Sequence, residues 1–350
     1  MRVLLADPPA FTPPYDHELA AALAAAGADV ELFTSRFRFG SRPQPAGYRL
    51  RDSFYPVSAR VGPRLPRVAL RILEHPLGLA RLAASGADIV HVQWCPVPEL
   101  DSRLLHTRAP LVFTAHDLLP RRTAHKEHLW RRLFRRFDRV VVHSENGRQA
   151  LEVFGADPAK LRVVPHPVFR SEPERRDDGR TALVLGVLRP YKGVDDAVTA
   201  TLGVDGARLL VAGDPRIPLD DLRRRAGERA EWRLGYLSAA ELETALGEAT
   251  VAVFPYRAEL DQSGALLQTL GAGVPAVVYD VGGLGEVVRR YGAGRVVPPG
   301  DVGALRDELA ALLGSPAALA EARTGAARCR DDLTWDAAAA AHLEIYGELC

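Results

Sequence analysis

Hydrophobic residues in the first half of this chain form short continuous runs, and the segments between several of them have helical spacing of apolar and polar residues. The runs read RVLLA, VELFT, DIVHVQW, APLVFTAHD, DRVVVHS and LRVVPHP. Continuous apolar runs are typical of parallel strands that helices cover on both faces. The pattern therefore predicts a first α/β lobe over residues 1–168.

The pattern restarts after a polar, charged segment, RSEPERRDDGRT, which predicts a linker over residues 169–180. The later runs are TALVLGVL, ARLLVAGD, EWRLGYL, TVAVFPY, PAVVYD and GRVVPPG, and they predict a second lobe over 181–332. Ser238 precedes Glu241 by three residues, a capping-box pattern that starts a helix.

These repeats predict an α/β fold of two Rossmann-like parallel-sheet lobes facing a central cleft. The tail LTWDAAAAAHLEIYGEL predicts a helix within 333–350 that crosses back to the first lobe. Ligands of such sheets bind beyond the carboxyl ends of the strands. The loops that follow strands are therefore the places to look for chemistry.

Composition excludes several classes of protein. Of 350 residues 47% are hydrophobic and 25% charged, and the net charge is +1, so no global field attracts nucleic acid. The three cysteines (Cys95, Cys329 and Cys350) are widely spaced, which indicates neither a disulfide framework nor a zinc site. No apolar run approaches the length of a membrane span. We expect a cytoplasmic protein without a nucleic-acid partner.

The segment LGVLRPYKG follows a predicted strand and precedes a helix. Gly186 and Gly193 allow close approach to the backbone, and Arg189 and Lys192 supply cations. Lysine is rare in this chain, at three residues against 42 arginines (45 minus 3), so an ammonium here is notable. A guanidinium and an ammonium at a strand end suit a diphosphate. The alternative is a solvated basic turn.

The segment RAELDQSGALLQTLGAG lies between two strand-like runs. Ser263 is placed to cap the helix that follows, and Gly264 lets a ligand approach the first N–H groups. A helix N-terminus attracts anions. The alternative is an ordinary helix start.

A third polar group, TAHD, ends a strand of the first lobe. His116 and Asp117 stand at the strand end, which makes His116 a catalytic candidate. His91, within a neighbouring run, is interpreted as a structural residue.

Taken together, KG after a strand, SG-x8-G-x-P (Ser263 to Pro275), VGG-x-x-E, TAHD, and HSE after DRVVV resemble the family-4 retaining glycosyltransferases of the glycosyltransferase-B fold. The resemblance implies a nucleotide-sugar donor on the second lobe and a sugar, lipid-linked or small-molecule acceptor on the first. It implies a hexosyl transfer with retention, in which Arg189 and Lys192 neutralise the diphosphate and His116 lies near the donor sugar. With these cations present, we expect no metal and no cofactor beyond the nucleotide-sugar co-substrate.

The chain departs from the family pattern at two positions. Members usually carry two glutamates eight positions apart, where this chain has Leu260 and Gln268. Gln268 is expected to bond the ribose hydroxyls without charge assistance. Glu259 and Asp261 flank the first position and are expected to face the sugar, with Asp261 favoured because it is closer to the Ser-Gly start.

The loop DPPAFTPPYDHE is rich in proline where many family members have a glycine-rich turn. Tyr15 and Asp16, together with Asp117, are candidates for the acceptor side. For Asp16 a plain helix N-cap is the favoured interpretation.

Other functions stay open. A metal-dependent transferase would hold Mg²⁺ or Mn²⁺ on Glu259 and Asp261. A non-catalytic nucleotide-sugar sensor or a sugar-nucleotide epimerase would use the same two-lobe scaffold.

The segment HLWRRLFRRFDRV predicts an amphipathic helix. Trp130, Leu133, Phe134 and Phe137 fall on one face, and arginines fall on the other. One interpretation is peripheral contact of residues 129–139 with an anionic membrane. The favoured interpretation is a helix of the lobe with its aromatic face in the core.

Overall fold

The computed structural model describes residues 1–37, 43–120, 122–257 and 262–350. The chain divides into two compact units. The first comprises residues 1–165 and 335–350, and the second comprises 166–334. Each contains one parallel sheet with helices, so the predicted α/β fold is confirmed.

The first unit contains a seven-stranded sheet in the order β3-β2-β1-β4-β5-β6-β7. Its strands are β1 (Arg2–Asp7), β2 (Asp29–Thr34), β3 (Arg49–Asp52), β4 (Ile89–Val92), β5 (Leu111–Thr114), β6 (Arg139–Val142) and β7 (Leu161–Val163). Every pairing is parallel. The six apolar runs of the sequence all form strands. The edge strand β3 was not predicted, because its sequence RLRD is polar and largely exposed.

The α-helices in the described part of the first unit are α1 (Pro13–Ala25), α2 (Arg64–Ala83), α3 (Pro98–Leu104), α4 (Glu127–Arg136), α5 (Glu145–Phe154) and α13 (Trp335–Gly347). Local signals set their ends. The Ser144 side chain accepts a hydrogen bond from the Gly147 N–H at the start of α5, and Gly155 ends it in the left-handed conformation at φ 101°. The terminal helix α13 is fixed by the buried Tyr346, whose hydroxyl lies 2.7 Å from Nδ1 of His91.

The second unit contains a six-stranded parallel sheet in the order β10-β9-β8-β11-β12-β13. Its strands are β8 (Thr181–Leu185), β9 (Arg208–Gly213), β10 (Ala230–Leu234), β11 (Val251–Phe254), β12 (Ala276–Tyr279) and β13 (Gly294–Val297). Its helices are α6 (Val194–Leu202), α7 (Asp220–Ala226), α8 (Ala239–Glu248), α9 (Gly264–Gly271), α10 (Gly283–Tyr291), α11 (Val302–Gly314) and α12 (Pro316–Asp332). The predicted capping box of Ser238 and Glu241 starts α8.

The polar segment over residues 169–180 belongs to the second unit and packs against two of its helices. The N–H of Ser171 bonds the carbonyl of Gly271, and the N–H of Arg176 bonds that of Gly247. Both glycines are required by this approach, since a Cβ on Gly271 would lie 2.2 Å from the Phe169 carbonyl oxygen. The segment is therefore held to α8 and α9 by backbone contacts.

The amphipathic helix α4 turns its aromatic face into the core. Trp130, Leu133 and Phe137 are fully buried, and Phe113 of β5 stacks on Phe137 at 4.8 Å between ring centroids. A membrane contact through residues 129–139 is therefore not supported, because the apolar side chains it needs are already packed. Among the described residues no helix has the length and apolar character needed to cross a bilayer.

Buried histidines make the unfolding of the first unit sensitive to pH. Burial lowers the pKa of His342 to about 4, whereas an unfolded histidine titrates near 6.5. Below about pH 6.5 the unfolded chain binds a proton that the folded chain does not, so stability falls as the pH approaches 4. We expect lowering the pH from about 7 to about 5 to cost about 2 kcal/mol at this one residue.

Urea denaturation of His342→Leu checks this expectation. The pH dependence of its free energy of unfolding should be smaller than that of the parent. His106→Gln, a change at an exposed histidine, is the matched control and should keep the parental dependence. Equal pH dependence in the parent and His342→Leu would contradict the lowered pKa of His342 as a cause of the instability at low pH.

Candidate functional site

The carboxyl ends of three neighbouring strands lie together at one edge of the second sheet. These strands are β8, β11 and β12, which are adjacent in the sheet order. Gly186 to Lys192 follow β8, Tyr256 to Ser263 follow β11, and Val281 to Gly283 follow β12. The parallel topology therefore brings the predicted basic segment and the predicted helix start to the same edge.

Lys192 is held at this edge with its side chain 7% exposed. Its ammonium lies 4.9 Å from the centroid of the Tyr256 ring, a cation–π contact. A Cβ on Gly186 would lie 3.1 Å from the Lys192 Nζ and 3.5 Å from the Cβ of Ala265. Gly186, at φ 102°, thus marks the place where the ammonium and the first turn of α9 come close together.

The start of α9 is built as the sequence predicted. Ser263 is its N-cap, and the Ser263 Oγ accepts a hydrogen bond from the Leu266 N–H at 3.3 Å. The hydroxyl of Tyr256 lies 3.2 Å from the same Oγ. One tyrosine therefore contacts both the capped helix start and the Lys192 ammonium.

One face of α9 is accessible. Gly264, Ala265 and Gln268 are exposed or half-buried, while most other positions of the helix are buried. A Cβ on Gly264 would meet only the ring of Phe169, at 4.0 Å. Residues four apart share a helix face, so the open surface at Gly264 continues to the Gln268 side chain.

Arg189 and the acid pair are placed differently. Arg189 precedes the 3₁₀ turn Pro190–Lys192 and is exposed, and its carbonyl accepts the Lys192 N–H. Glu259 and Asp261 lie outside the described residues, so their predicted roles stay predictions.

The carboxyl edge of the first sheet carries a ring of polar and aromatic side chains around His116. The His116 Nε2 lies 2.8 Å from the Gln93 Oε1. Trp94 stacks on the imidazole at 5.4 Å, and Tyr15 meets it edge-on at 4.6 Å. With the Gln93 amide in this orientation, its oxygen accepts and the bond requires a proton on Nε2 of His116. His143 completes the ring at 5.4 Å from His116.

Asp16 is not the N-cap of α1, as the sequence had suggested. Thr12 occupies that position, and Pro13 and Pro14 fill the first turn, because a proline at a helix start loses no hydrogen bond. The Asp16 carboxylate instead accepts the Thr12 hydroxyl at 3.2 Å. Burial and then the neighbouring charge of Asp7 raise the pKa of Asp16 well above its usual range.

Asp7 is the partner of Asp16 at the end of β1. Burial raises the pKa of Asp7 to about 6, although hydrogen bonds from Asp16 and from the following loop oppose the shift. Two adjacent buried carboxyls favour sharing one proton. Of the remaining acceptor-side candidates, Tyr15 is buried and its ring contacts His116. Asp117, which follows His116 in the sequence, is half-buried.

Family models match both units. The model described as Glycosyltransferase Family 4 matches residues 15–171, and the model Glycosyl transferases group 1 matches residues 179–315. The chain belongs to glycosyltransferase family 4. The resemblance inferred from its motifs is thereby confirmed.

Curated relatives of this family-4 glycosyltransferase include two enzymes from mycobacteria. Glycogen synthase of Mycobacterium tuberculosis is 28% identical over 94% of this chain and 89% of that protein. D-inositol 3-phosphate glycosyltransferase of Mycolicibacterium paratuberculosis is 32% identical over 60% of this chain and 52% of that protein.

Solved structures share the fold of this glycosyltransferase. Sucrose-phosphate synthase from Thermosynechococcus elongatus aligns with a TM-score of 0.79 at 20% identity, over 100% of this chain and 99% of that one. Anabaena HepE in complex with UDP and glucose aligns over the whole of both chains, with a TM-score of 0.73 at 14% identity. The glycosyltransferase-B fold is therefore confirmed.

A clamp that the sequence did not predict lies next to the carboxyl edge of the second sheet. The Arg257 guanidinium bonds the carboxylates of Asp195 and Asp196 at 2.7 and 2.6 Å, and the Tyr279 hydroxyl donates to Asp196 at 3.1 Å. Hydrogen bonds to these carboxylates raise the pKa of Arg257. The clamp joins the exits of β11 and β12 to the start of α6. A sequence signal existed in the acid pair that follows Lys192 and Gly193, but its arginine partner is 61 positions away.

Two further residues at the carboxyl edge of the second sheet, Gly193 and Gln262, are more strongly constrained than the sequence predicted. Gly193 has φ 61°, and a Cβ there would lie 2.1 Å from the Pro255 carbonyl oxygen, so only glycine fits. Gln262 donates from its amide to the Gly283 carbonyl at 3.4 Å, and its buried Oε1 has no hydrogen-bond partner among the described residues. Gln262 thus presents an acceptor immediately before the Ser263 cap.

Over residues 1–37, 43–120, 122–257 and 262–350, no three His, Cys, Asp or Glu side chains cluster closely enough to hold an ion. Glu259 and Asp261, the ligands of the metal-dependent alternative, fall outside these ranges.

Proposed function

We propose that this glycosyltransferase moves a hexosyl group from a nucleoside diphosphate sugar to a hydroxyl of a polyhydroxylated acceptor, with retention and without a metal ion. The observation that carries the proposal is the meeting of the Lys192 ammonium with the capped start of α9. A buried cation beside free helix N–H groups is a site for a diphosphate.

The chemistry follows from where charge develops. As the bond between the sugar and the diphosphate breaks, negative charge grows on the leaving phosphate. Lys192, the N–H groups that follow Ser263, and Arg189 are positioned at one edge to stabilise that charge. Because these groups carry the compensating positive charge, the leaving group needs no metal. Retention is proposed from family membership alone.

The accessible face of α9 gives the donor a direction. With the diphosphate at Ser263 and Gly264, the ribose lies along the helix and reaches Gln268, whose amide bonds its hydroxyls. Glu259 and Asp261 are proposed to bond the hydroxyls of the sugar. The Anabaena HepE structure contains UDP and glucose, so uridine nucleotides are the first donors to test.

On the first unit, His116 is proposed to contact the transferred sugar. Gln93 and the stacked Trp94 fix the orientation of its ring. The names of the relatives, glycogen synthase and D-inositol 3-phosphate glycosyltransferase, favour a carbohydrate or cyclitol as the acceptor. Transfer from labelled UDP-, GDP-, ADP- and dTDP-hexoses to such acceptors, followed by the anomeric configuration of the product, tests the proposal. Binding without turnover for all acceptors would favour a sensor.

We expect activity to be independent of divalent metal ions. Removal of metal with EDTA should leave the rate of transfer unchanged, because Lys192 and Arg189 supply the positive charge. A loss of activity in EDTA that Mn²⁺ restores would favour the alternative in which Glu259 and Asp261 hold the metal.

Two substitutions should separate the nucleotide from the sugar. Gln268→Ala is expected to weaken the nucleoside diphosphate and its sugar conjugate alike by about 1–3 kcal/mol, because ribose hydroxyls lose their partner. Asp261→Asn is expected to weaken only the sugar conjugate. Calorimetric titration of both ligands measures the two differences. Equal affinities of parent and variants for both ligands would mean that the segment is a structural turn.

A further inference from the structure

The helix α2 exposes an unusual amount of apolar surface. Five large aliphatic side chains within thirteen positions point into solvent, namely Leu65, Val68, Ile72, Leu73 and Leu77. Leu65 is 83% exposed and Leu73 is 71% exposed. We call these five residues the α2 ridge. Isolated exposed apolar residues need no explanation, but a contiguous group on one helix marks a surface that another body covers.

The ridge is presented on a firmly anchored helix. On the buried side of α2, the His75 Nδ1 lies 2.7 Å from the Tyr55 hydroxyl, and its Nε2 lies 2.6 Å from the Asp101 carboxylate. The ring of Phe54 packs so closely on Gly78 that a Cβ there would lie 2.2 Å from it. The exposed leucines are therefore displayed by a folded element with a packed opposite side.

Arginines border the ridge. Residues 60–83 contain five of them (Arg60, Arg64, Arg67, Arg71 and Arg81) and one acid, Glu74, which gives a local charge of +4. The Glu74 carboxylate accepts the backbone N–H groups of Val57 and Ser58 at 2.8 and 3.1 Å, so it is engaged within the fold. Arg60 and Arg64, at the start of the segment, are exposed. Arg67 and Arg81 donate to backbone carbonyls and Arg71 lies over the Tyr55 ring, so Arg60 and Arg64 supply most of the positive margin beside the ridge.

We propose that the α2 ridge docks this protein on the surface of an anionic lipid bilayer. A helix with an apolar face and an arginine-rich margin inserts its apolar side chains below the lipid headgroups, while the arginines contact anionic groups. Docking against a second copy of the chain is disfavoured, because a two-fold contact places the same arginines on both sides and Glu74 is already engaged. This surface is separate from α4, whose apolar face is buried.

The topology gives the docking a consequence. The strand β3 ends at Asp52 on the carboxyl edge of the first sheet, and the chain leads from there into the first turns of α2. The N-terminal part of the ridge therefore lies on the side of the sheet that also carries Gln93 and His116. A docked protein holds this edge toward the membrane surface, which suits an acceptor with a lipid tail; that last step alone rests on the proposed function.

Vesicle co-sedimentation of the full chain tests the docking without reference to catalysis. The two probes are vesicles of phosphatidylcholine alone and of phosphatidylcholine mixed with phosphatidylglycerol in equal parts. We expect binding to the mixed vesicles roughly tenfold or more above binding to phosphatidylcholine alone. Leu65→Ser/Ile72→Ser/Leu73→Ser should weaken that binding by roughly a hundredfold, and Arg60→Gln/Arg64→Gln by about tenfold.

A matched control removes exposed apolar residues from other helices. Leu104→Ser/Val153→Ser should bind mixed vesicles as the parent does, since these residues are exposed but lie off the ridge. Thermal denaturation of each variant verifies that it is folded. No binding of the parent to mixed vesicles, or equal binding by the parent and the ridge variant, overturns the proposal. So does a dimer in light scattering that the ridge variant converts to a monomer.

Discussion

Replacing Lys192 by methionine is expected to lower the rate of sugar transfer by roughly a hundred- to a thousandfold, the usual effect of removing one group that stabilises developing charge. Methionine keeps the unbranched apolar stem that packs near Tyr256 and removes only the ammonium. The fold should therefore persist, and the loss should appear in turnover. Arg189→Met should act in the same direction but less strongly, because the exposed guanidinium is screened by water.

Arg208→Met is the matched control for the Lys192 experiment. Arg208 is an exposed basic residue of the same unit, but it begins β9 and so lies at the opposite edge of the sheet. Its removal should leave the rate unchanged. Steady-state kinetics of the three variants measure the rate of sugar transfer, and their melting temperatures show whether each variant is folded. A well-folded Lys192→Met enzyme with a normal rate would remove the donor-site assignment.

The second large effect is expected from Gly264→Val. A Cβ on Gly264 has only Phe169 nearby, at 4.0 Å, so the fold has room for a larger side chain. The valine would cover the first N–H groups of α9, where the diphosphate is proposed to bind. We expect the affinity for nucleoside diphosphates to fall by roughly a hundredfold or more, while the free energy of unfolding changes by less than about 1 kcal/mol.

Gly271→Ala gives the contrasting result in the same helix. Its new methyl group would collide with the Phe169 carbonyl oxygen at 2.2 Å, so this variant should lose stability. Calorimetry and urea denaturation of both variants separate binding from folding. Undiminished binding by Gly264→Val would show that the open face of α9 is not the ligand site.

The sheets could be predicted from the sequence because their strands are buried on both faces and so appear as continuous apolar runs. Strand β3 could not, since RLRD forms the exposed edge of its sheet and carries no apolar run. The predicted N-cap of α1, Asp16, was wrong, because the helix begins four residues earlier, after Thr12. Thr12 and Asp16 are both residue types that cap helices, and the choice depends on the prolines at positions 13 and 14.

The part of the candidate site that depends on neighbouring residues in the sequence could be predicted, and the part that depends on distant residues could not. Ser263 and Lys192 are local features of strand-to-helix junctions, and a short segment of sequence contains their whole signal. The Arg257 clamp depends on residues brought together by the fold, as does the contact of Tyr256 with both Lys192 and Ser263. Spacing along one chain carries no information on such pairs.

The most direct test of the proposed function is calorimetric titration of the parent and of Lys192→Met with UDP, GDP, ADP and dTDP. The account predicts that at least one of the four binds the parent and that its affinity falls by roughly a hundredfold in Lys192→Met. Absence of binding by all four, or equal affinity in the two proteins, would contradict a nucleoside diphosphate site at the carboxyl edge of the second sheet.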